Sequence, residues 1–160
     1  MQIMNITKYP DEMLIVHFQA QIDRILDYDL GSIVSNAEYR GLGKTSSIAH
    51  RVFCNLIDAH RESDLREQFV IVPNAETQDT YIDIINKKLL LHGLVLPNAT
   101  KTLLKKIILV ADSGTRGIRF TEEDRTQIVY LDGVSKRVFK DVIEPSCVGK
   151  QVVFRGFVKL

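Results

Sequence analysis

The feature that most constrains the fold is a glycine-rich turn between a β-prone run and an amphipathic helix. The run covers residues 32–36, and apolar residues recur at helical spacing over residues 45–60. The turn reads Arg40-Gly41-Leu42-Gly43-Lys44-Thr45. Glycines let a backbone approach its ligand closely, and the amides at a helix N-terminus attract anions. The sequence therefore predicts a strand–turn–helix unit with a phosphate-binding turn.

This turn matches most of the P-loop pattern G-x-x-x-x-G-K-[ST]. Lys44 is expected to reach the β and γ phosphates of ATP, and Thr45 to ligate Mg²⁺. Glu38 stands where the pattern has its first glycine. We expect an ATP and Mg²⁺ site here; the alternative is a glycine-rich turn that happens to contain Lys-Thr.

Length and composition favour one cytoplasmic globular domain over residues 1–160. The chain is 45% apolar and 26% charged, which is ordinary for a globular protein. No apolar run approaches the roughly 18 residues that span a bilayer, and the first residues lack the pattern of a secretory signal. If the protein is viral, we expect it in the host cytoplasm.

Cysteines and histidines give no sign of a metal centre on protein ligands. Cys54 and Cys147 are far apart, which is typical of a reducing compartment, and the four histidines are scattered. We expect Cys54 to be buried in the helix after the turn. The only metal expected is Mg²⁺ bound with the nucleotide.

The charge pattern favours transient rather than permanent contact with nucleic acid. A net charge of +1 argues against a static coat on DNA, although a motor can still grip DNA briefly. Local basic clusters occur at Lys101, Lys105 and Lys106 and at Lys136, Arg137 and Lys140. A solvated helix or loop face is the favoured interpretation of both clusters.

The remaining pattern alternates helices and strands. Helices are expected over residues 13–28, from Asn74 or Thr77 to Gly93, and over 136–143; strands are expected over 69–73, 106–112, 127–132 and 151–154, with 117–120 as a hairpin partner of the second. This order predicts a three-layer α/β fold with a mainly parallel sheet and one β-hairpin.

Asp132 ends one of these apolar strands. Since the carboxyl ends of parallel strands meet at one edge of a sheet, this carboxylate is expected beside the loop. In P-loop ATPases an acid at this position binds Mg²⁺. Thr45 and Asp132 are therefore the predicted metal ligands.

Together these segments resemble the ATPase domain of large terminases, the DNA-packaging motors of tailed bacteriophages. The loop is similar to the terminase Arg-x-x-Gly-Lys-[Ser/Thr] loop, which also lacks the leading glycine. Gln21 and Asp132 have terminase-like separations from the loop, and the strand at Phe69 and the turn at 112–115 follow in family order. The chain resembles superfamily 2 helicases more distantly. The resemblance implies an additional-strand P-loop NTPase.

The resemblance also implies roles for individual residues. Gln21 would read adenine, with Gln19 as a less favoured substitute, and Arg40 would be a sensor or finger. Arg40, Lys44 and Asp132 would be catalytic. The nucleotide-binding set would be Gln21, Arg40, Gly41, Leu42, Gly43, Lys44, Thr45 and Ser46.

The partners implied are double-stranded DNA, held transiently, and other motor subunits or the portal. A separate nuclease chain is a further implied partner, and the assembled state is expected to be a homo-oligomer without membrane contact. Arg116 and Arg119 are candidates for contact with a neighbouring subunit or DNA, although an exposed hairpin charge is the favoured interpretation.

Two departures from the terminase pattern bear on activity. Gly133 follows Asp132 where terminases carry the glutamate that activates water, and losing a general base costs about 10²–10⁴-fold in rate. Glu122, Glu123, Asp141 and Glu144 are candidate substitutes. No nuclease-like segment follows, so DNA cleavage is not expected.

Three alternatives to an active motor module remain open. The first is a P-loop module that binds nucleotide but hydrolyses it weakly or not at all, which Gly133 favours. The second is a fragment of a helicase-like ATPase. The third is a small-molecule kinase, which the lack of a clustered-arginine lid disfavours.

Overall fold

The structure is a computed structural model, and it describes seven stretches of the chain. These are residues 11–28, 31–39, 41–62, 68–93, 99–111, 127–149 and 151–160.

Five parallel strands form one sheet in the order β1-β5-β4-β2-β3. The strands are β1 (Ile33–Ser35), β2 (Gln68–Val72), β3 (Ile108–Val110), β4 (Gln127–Ser135) and β5 (Val152–Lys159). The last strand in the chain therefore lies between the first strand and β4. This insertion places the carboxyl ends of β1, β5 and β4 side by side.

Among the described residues, one helix precedes β1 and the others lie between strands. They are α1 (Asp11–Asp27), α2 (Lys44–Glu62), α3 (Ala75–Leu91), α4 (Ala99–Ile107), α5 (Lys136–Val138), a π-helical turn (Phe139–Ile143) and α6 (Glu144–Ser146). Of the two expected caps of α3, Asn74 is the one observed, because its side chain accepts a hydrogen bond from the Thr77 amide at 2.9 Å.

The core lies on both faces of the sheet. Val70 and Val72 of β2 pack with α1 to α4 on one face, while Phe69 and Ile71 of the same strand pack with the helical segment after β4 on the other. The side chains of successive strand residues point to opposite faces of the sheet, so a continuous apolar run such as β2 is buried on both faces. The predicted three-layer α/β architecture is confirmed.

Three predicted strands were wrong in their bounds. β4 does not end at Asp132 but continues to Ser135, because it stays paired with β5 beyond a bulge. Lys106 and Ile107 end helix α4, since Leu104 and Ile107 are both buried against the core at helical spacing. β5 runs through Gly156 to Lys159 because it pairs with β1 on one side and β4 on the other. The predicted hairpin partner at 117–120 and Asp112 lie outside the described residues.

The prediction that Cys54 is buried was also wrong. Cys54 is exposed on α2, with its Sγ 3.5 Å from Nε2 of His50 one turn earlier, whereas Cys147 is buried. The buried face of α2 is formed instead by residues that include Ile48, Val52 and Phe53. Within the described stretches, no helix is long and apolar enough to cross a bilayer.

Candidate functional site

The glycine-rich turn lies at the carboxyl end of β1 and leads directly into α2. β1 ends at Ser35, and α2 begins at Lys44. The first intrahelical hydrogen bond runs from the Ser47 amide to the Gly43 carbonyl at 2.9 Å. The amides before Ser47 thus belong to the open N-terminal turn of a 19-residue helix, where anions are stabilised.

Gly41 and Gly43 leave one side of this turn open. Both have left-handed backbone angles, with φ of +74° and +82°, and a Cβ added to either would meet no atom within 4 Å. The turn therefore has room on the side where a ligand would approach its backbone. Leu42 between them is half-buried and packs against the core, which anchors the turn.

Asp132 reaches this turn from β4. It pairs with Phe157 of β5, which in turn pairs with Val34 of β1, so the carboxylate lies level with the end of the strand that carries the loop. The Thr45 hydroxyl donates a hydrogen bond to Asp132 Oδ2 at 2.7 Å, and Lys44 Nζ lies 4.0 Å from Asp132 Oδ1. The structure therefore brings together the three residues predicted to act on phosphate and metal.

The Asp132 side chain is only 5% exposed. A buried carboxylate is costly unless charged or hydrogen-bonding partners surround it, and Lys44 and Thr45 supply one of each. Lys44 is itself only 13% exposed, so its ammonium is also largely removed from water. Burial strengthens the attraction between the two charges and holds both close to the loop.

Tyr81 is a third partner of Asp132 that the sequence analysis missed. Its hydroxyl donates to Asp132 Oδ2 at 2.7 Å from the first half of α3, and the residue is 0% exposed. Burial, reinforced by the negative charge of Asp132, raises the pKa of Tyr81 well above its ordinary value. The phenol therefore stays a hydrogen-bond donor at neutral pH. The sequence did offer a signal for this contact: Tyr81 stands in an otherwise apolar stripe of a helix. A tyrosine buried there needs a hydrogen-bond acceptor for its hydroxyl.

Gly133 has a structural role beyond lacking a carboxylate. Its φ is +75°, and the pairing of β4 with β5 shifts by one residue between Asp132 and Val134, so Gly133 is the extra residue of a β-bulge. A Cβ placed on Gly133 would lie 3.7 Å from Nδ2 of Asn36. Oδ1 of Asn36 is buried and has no hydrogen-bond partner within the described stretches.

The structure describes only some of the other residues predicted for the site. Gln21 is half-buried on α1, and Ser46 is exposed in the first turn of α2. Arg40 lies outside the described residues, as do Arg116, Arg119, Glu122 and Glu123.

Two of the proposed substitute bases do not reach the site. Asp141 and Glu144 belong to the helical segment on the other face of the sheet, where they pair with Arg137 at 3.7 Å and Lys140 at 3.1 Å. Both acids are about half exposed or more, with side-chain exposures of 65% and 48%. The structure therefore does not support either acid as a substitute base, because the sheet separates both from Asp132.

Comparison of the chain with protein-family models, with curated proteins and with solved structures found no significant match.

Proposed function

We propose that this chain binds Mg·ATP at the Gly41–Gly43 turn and serves as the ATPase module of a DNA-packaging motor of the large-terminase type. The observation that carries the nucleotide site is the convergence of Thr45 and Lys44 on one buried carboxylate, Asp132, at the N-terminus of α2. A chance Gly-Lys-Thr turn has no reason to face a buried acid from another strand.

The donor set suits the metal. Mg²⁺ prefers hard oxygen ligands and keeps water and phosphate oxygens in its shell, so one hydroxyl and one carboxylate from the protein are sufficient. Thr45 and Asp132 supply these oxygens. When bound, the ion would neutralise charge on the β and γ phosphates, while Lys44 places a second positive charge near them.

The strand order supports the P-loop NTPase class on which the motor proposal rests. β5 lies between the loop strand β1 and the aspartate strand β4, so one additional strand separates them, consistent with the additional-strand class that the resemblance implies. The terminase-like loop and the position of Gln21 on a helix before β1 add to this support. On this proposal double-stranded DNA and neighbouring motor subunits are the partners.

The second candidate is a nucleotide-binding module with weak or no turnover. The observation that favours it is the bulge at Gly133, where the terminase pattern has its water-activating glutamate. Such a module would respond to ATP by changing its contacts with a partner, and would bind nucleotide as tightly as an active enzyme.

Titration calorimetry with Mg·ATP tests the site. Lys44→Ala should weaken binding by about 10–100-fold, since hydrogen bonds to charged groups contribute about 1.5–3 kcal/mol. Lys87→Ala is a suitable control, because Lys87 is exposed on α3. Equal affinities for the two variants, or a wild-type protein that does not bind Mg·ATP, would refute the proposed site.

Phosphate release separates the two candidates. We expect the wild-type protein to release phosphate faster with double-stranded DNA than without it, and Lys44→Ala to lose this stimulation. Tight Mg·ATP binding without phosphate release in either condition would favour the module without turnover and exclude the motor.

A further inference from the structure

We infer that Tyr81 is the positioning residue for the metal-binding carboxylate: its hydroxyl fixes the orientation of Asp132 and so sets the affinity of the site for Mg²⁺. This inference rests on the proposed function, because it concerns the same site. Tyr81 does not touch the nucleotide in this scheme and acts through Asp132.

Two hydroxyl groups share one oxygen of Asp132. Thr45 and Tyr81 both donate to Oδ2 at 2.7 Å, while Oδ1 faces Lys44 at 4.0 Å. A carboxylate with both donors on one oxygen has a defined rotation, because turning it would break two hydrogen bonds to a charged acceptor. The other oxygen is thereby held toward the loop.

The same arrangement orients Thr45. A hydroxyl has one proton and two lone pairs, so a threonine whose proton points to Asp132 keeps its lone pairs for another partner. This is the state that a hydroxyl ligand of Mg²⁺ requires. Tyr81 thus prepares both predicted protein ligands before the ion arrives.

The packing around Tyr81 holds its side chain firmly enough to fix the orientation of the Asp132 carboxylate. Tyr81 is fully buried within the core cluster that joins α2, α3 and the sheet, and α3 is capped by Asn74 seven residues earlier. Hydrogen-bond partners behind metal ligands typically change metal affinity by about 10–100-fold when they are removed. A comparable effect is expected here.

The variant Tyr81→Phe removes the hydroxyl and keeps the ring. Tyr130→Phe is the matched control: Tyr130 is also a buried tyrosine and lies on β4 two residues before Asp132. The charged groups that act on its hydroxyl are Arg51, Arg155 and Asp27 rather than Asp132. Binding of a non-hydrolysable ATP analogue is measured by calorimetry against increasing Mg²⁺, with full-length protein. Thermal unfolding without ligand is recorded for both variants.

We expect Tyr81→Phe to raise the Mg²⁺ concentration for half-maximal binding about tenfold or more, with wild-type nucleotide affinity recovered at saturating Mg²⁺. For Tyr130→Phe this Mg²⁺ concentration should stay within about twofold of the wild-type value, because Tyr130 is not a hydrogen-bond partner of a predicted metal ligand. A purely structural role for Tyr81 would lower the unfolding temperature and leave the Mg²⁺ requirement unchanged, which would overturn the inference. A wild-type protein that fails to bind the analogue at any Mg²⁺ concentration would instead refute the proposed function, and this inference with it.

A spectroscopic measurement covers the case in which Tyr81→Phe does not fold. The five tyrosines of the wild-type chain are replaced by 3-fluorotyrosine, and the Tyr81 fluorine signal is assigned by exclusion from Tyr→Phe variants at the other four positions. Adding Mg²⁺ to the protein with bound analogue should shift the Tyr81 signal and leave that of Tyr130 in place. No shift at Tyr81 would overturn the inference.

Discussion

Gly133 occupies a backbone conformation that few other residues adopt readily. A φ of +75° within a β-bulge places it in the left-handed region, where a Cβ introduces strain. Placing a glutamate at this position would therefore be more than an exchange of side chains. A carboxylate at this position would have to come with a different local backbone.

Replacing Gly133 tests this directly. Gly133→Ala should lower the free energy of unfolding by about 1–2 kcal/mol, and Gly133→Asn by less, because asparagine tolerates the left-handed region better. Urea denaturation measures both. Equal stability of the alanine variant and the wild type would show that the backbone strain is absent.

Tyr81 also predicts how stability depends on alkaline pH. Burial, with the charge of Asp132 added, raises the pKa of Tyr81 in the folded protein above its ordinary value of 10.0, and burial raises that of Tyr130 as well. Below pH 10 the Tyr81 phenol is neutral in both the folded and the unfolded protein, so its full contribution to the free energy of unfolding is present. Above pH 10 the unfolded chain loses the proton while the folded one keeps it, so the free energy of unfolding falls by up to about 1.4 kcal/mol per pH unit for such a group.

Tyr81→Phe removes this titration and should make the decline between pH 10 and 11 less steep than in the wild type. Denaturant unfolding at pH 9, 10 and 11 gives the slopes. Identical slopes for the two proteins would mean that the Tyr81 pKa is not raised on folding.

At the scale of elements, Arg51 links the helix before the loop strand to the helix after the loop. Its guanidinium pairs with both oxygens of Asp27 at 2.9 Å and with Asp23 at 2.9 Å, joining α2 to α1. Gln21, the predicted adenine reader, lies on the same helix α1. The link therefore joins the helix that carries Gln21 to the helix that begins at Lys44.

This link should be sensitive to acid. The hydrogen bond from Arg51 lowers the pKa of Asp27, against a smaller opposing effect of burial, so its contribution to stability is present above the usual aspartate pKa of about 3.9 and is lost as pH falls through the lower folded value. Both carboxylates are more than half exposed, and we expect Arg51→Met to cost about 1 kcal/mol or less at pH 7.

Unfolding measured from pH 7 down to pH 3 checks this. The difference in stability between wild type and Arg51→Met should shrink toward the acid end. A difference that stays constant would assign the effect of Arg51 to packing of its aliphatic stem rather than to the ion pair.

At the scale of the whole molecule, β5 is the element on which the sheet depends. It is the last strand in the chain, and it joins β1, with the loop, to β4, with Asp132. Removing it would leave β1 without its strand partner and uncover apolar side chains on both faces of the sheet. The distance between Lys44 and Asp132 is thus set by a segment that follows both in sequence.

A chain that ends at residue 151 should therefore fail to fold cooperatively. Circular dichroism during heating measures this, and a variant that lacks only Leu160, which is exposed beyond the strand, is the control. A sharp unfolding transition in the truncated chain would contradict the central role of β5.

Sequence reasoning found the elements whose patterns are local. The helix after the loop, the buried strand at Phe69 and the Asn74 cap were each predictable, because periodicity and capping depend on neighbouring residues. The extension of β5 beyond Phe154 was not, since strand length is set by partners distant in sequence. α4 was missed for a related reason: its apolar residues Leu104 and Ile107 join directly to the apolar run of β3.

The amino-acid sequence by itself determined the chemistry of the site: a glycine-rich turn, a lysine and a threonine at a helix start, and an aspartate in an apolar strand. These are properties of residue type and short-range order. Only the tertiary structure decided that Lys44, Thr45 and Asp132 meet, that Tyr81 joins them, and that Gly133 forms a bulge. Those facts depend on the register between distant strands and on which helix covers which face of the sheet. Neither the register nor the helix placement can be predicted from a short stretch of sequence.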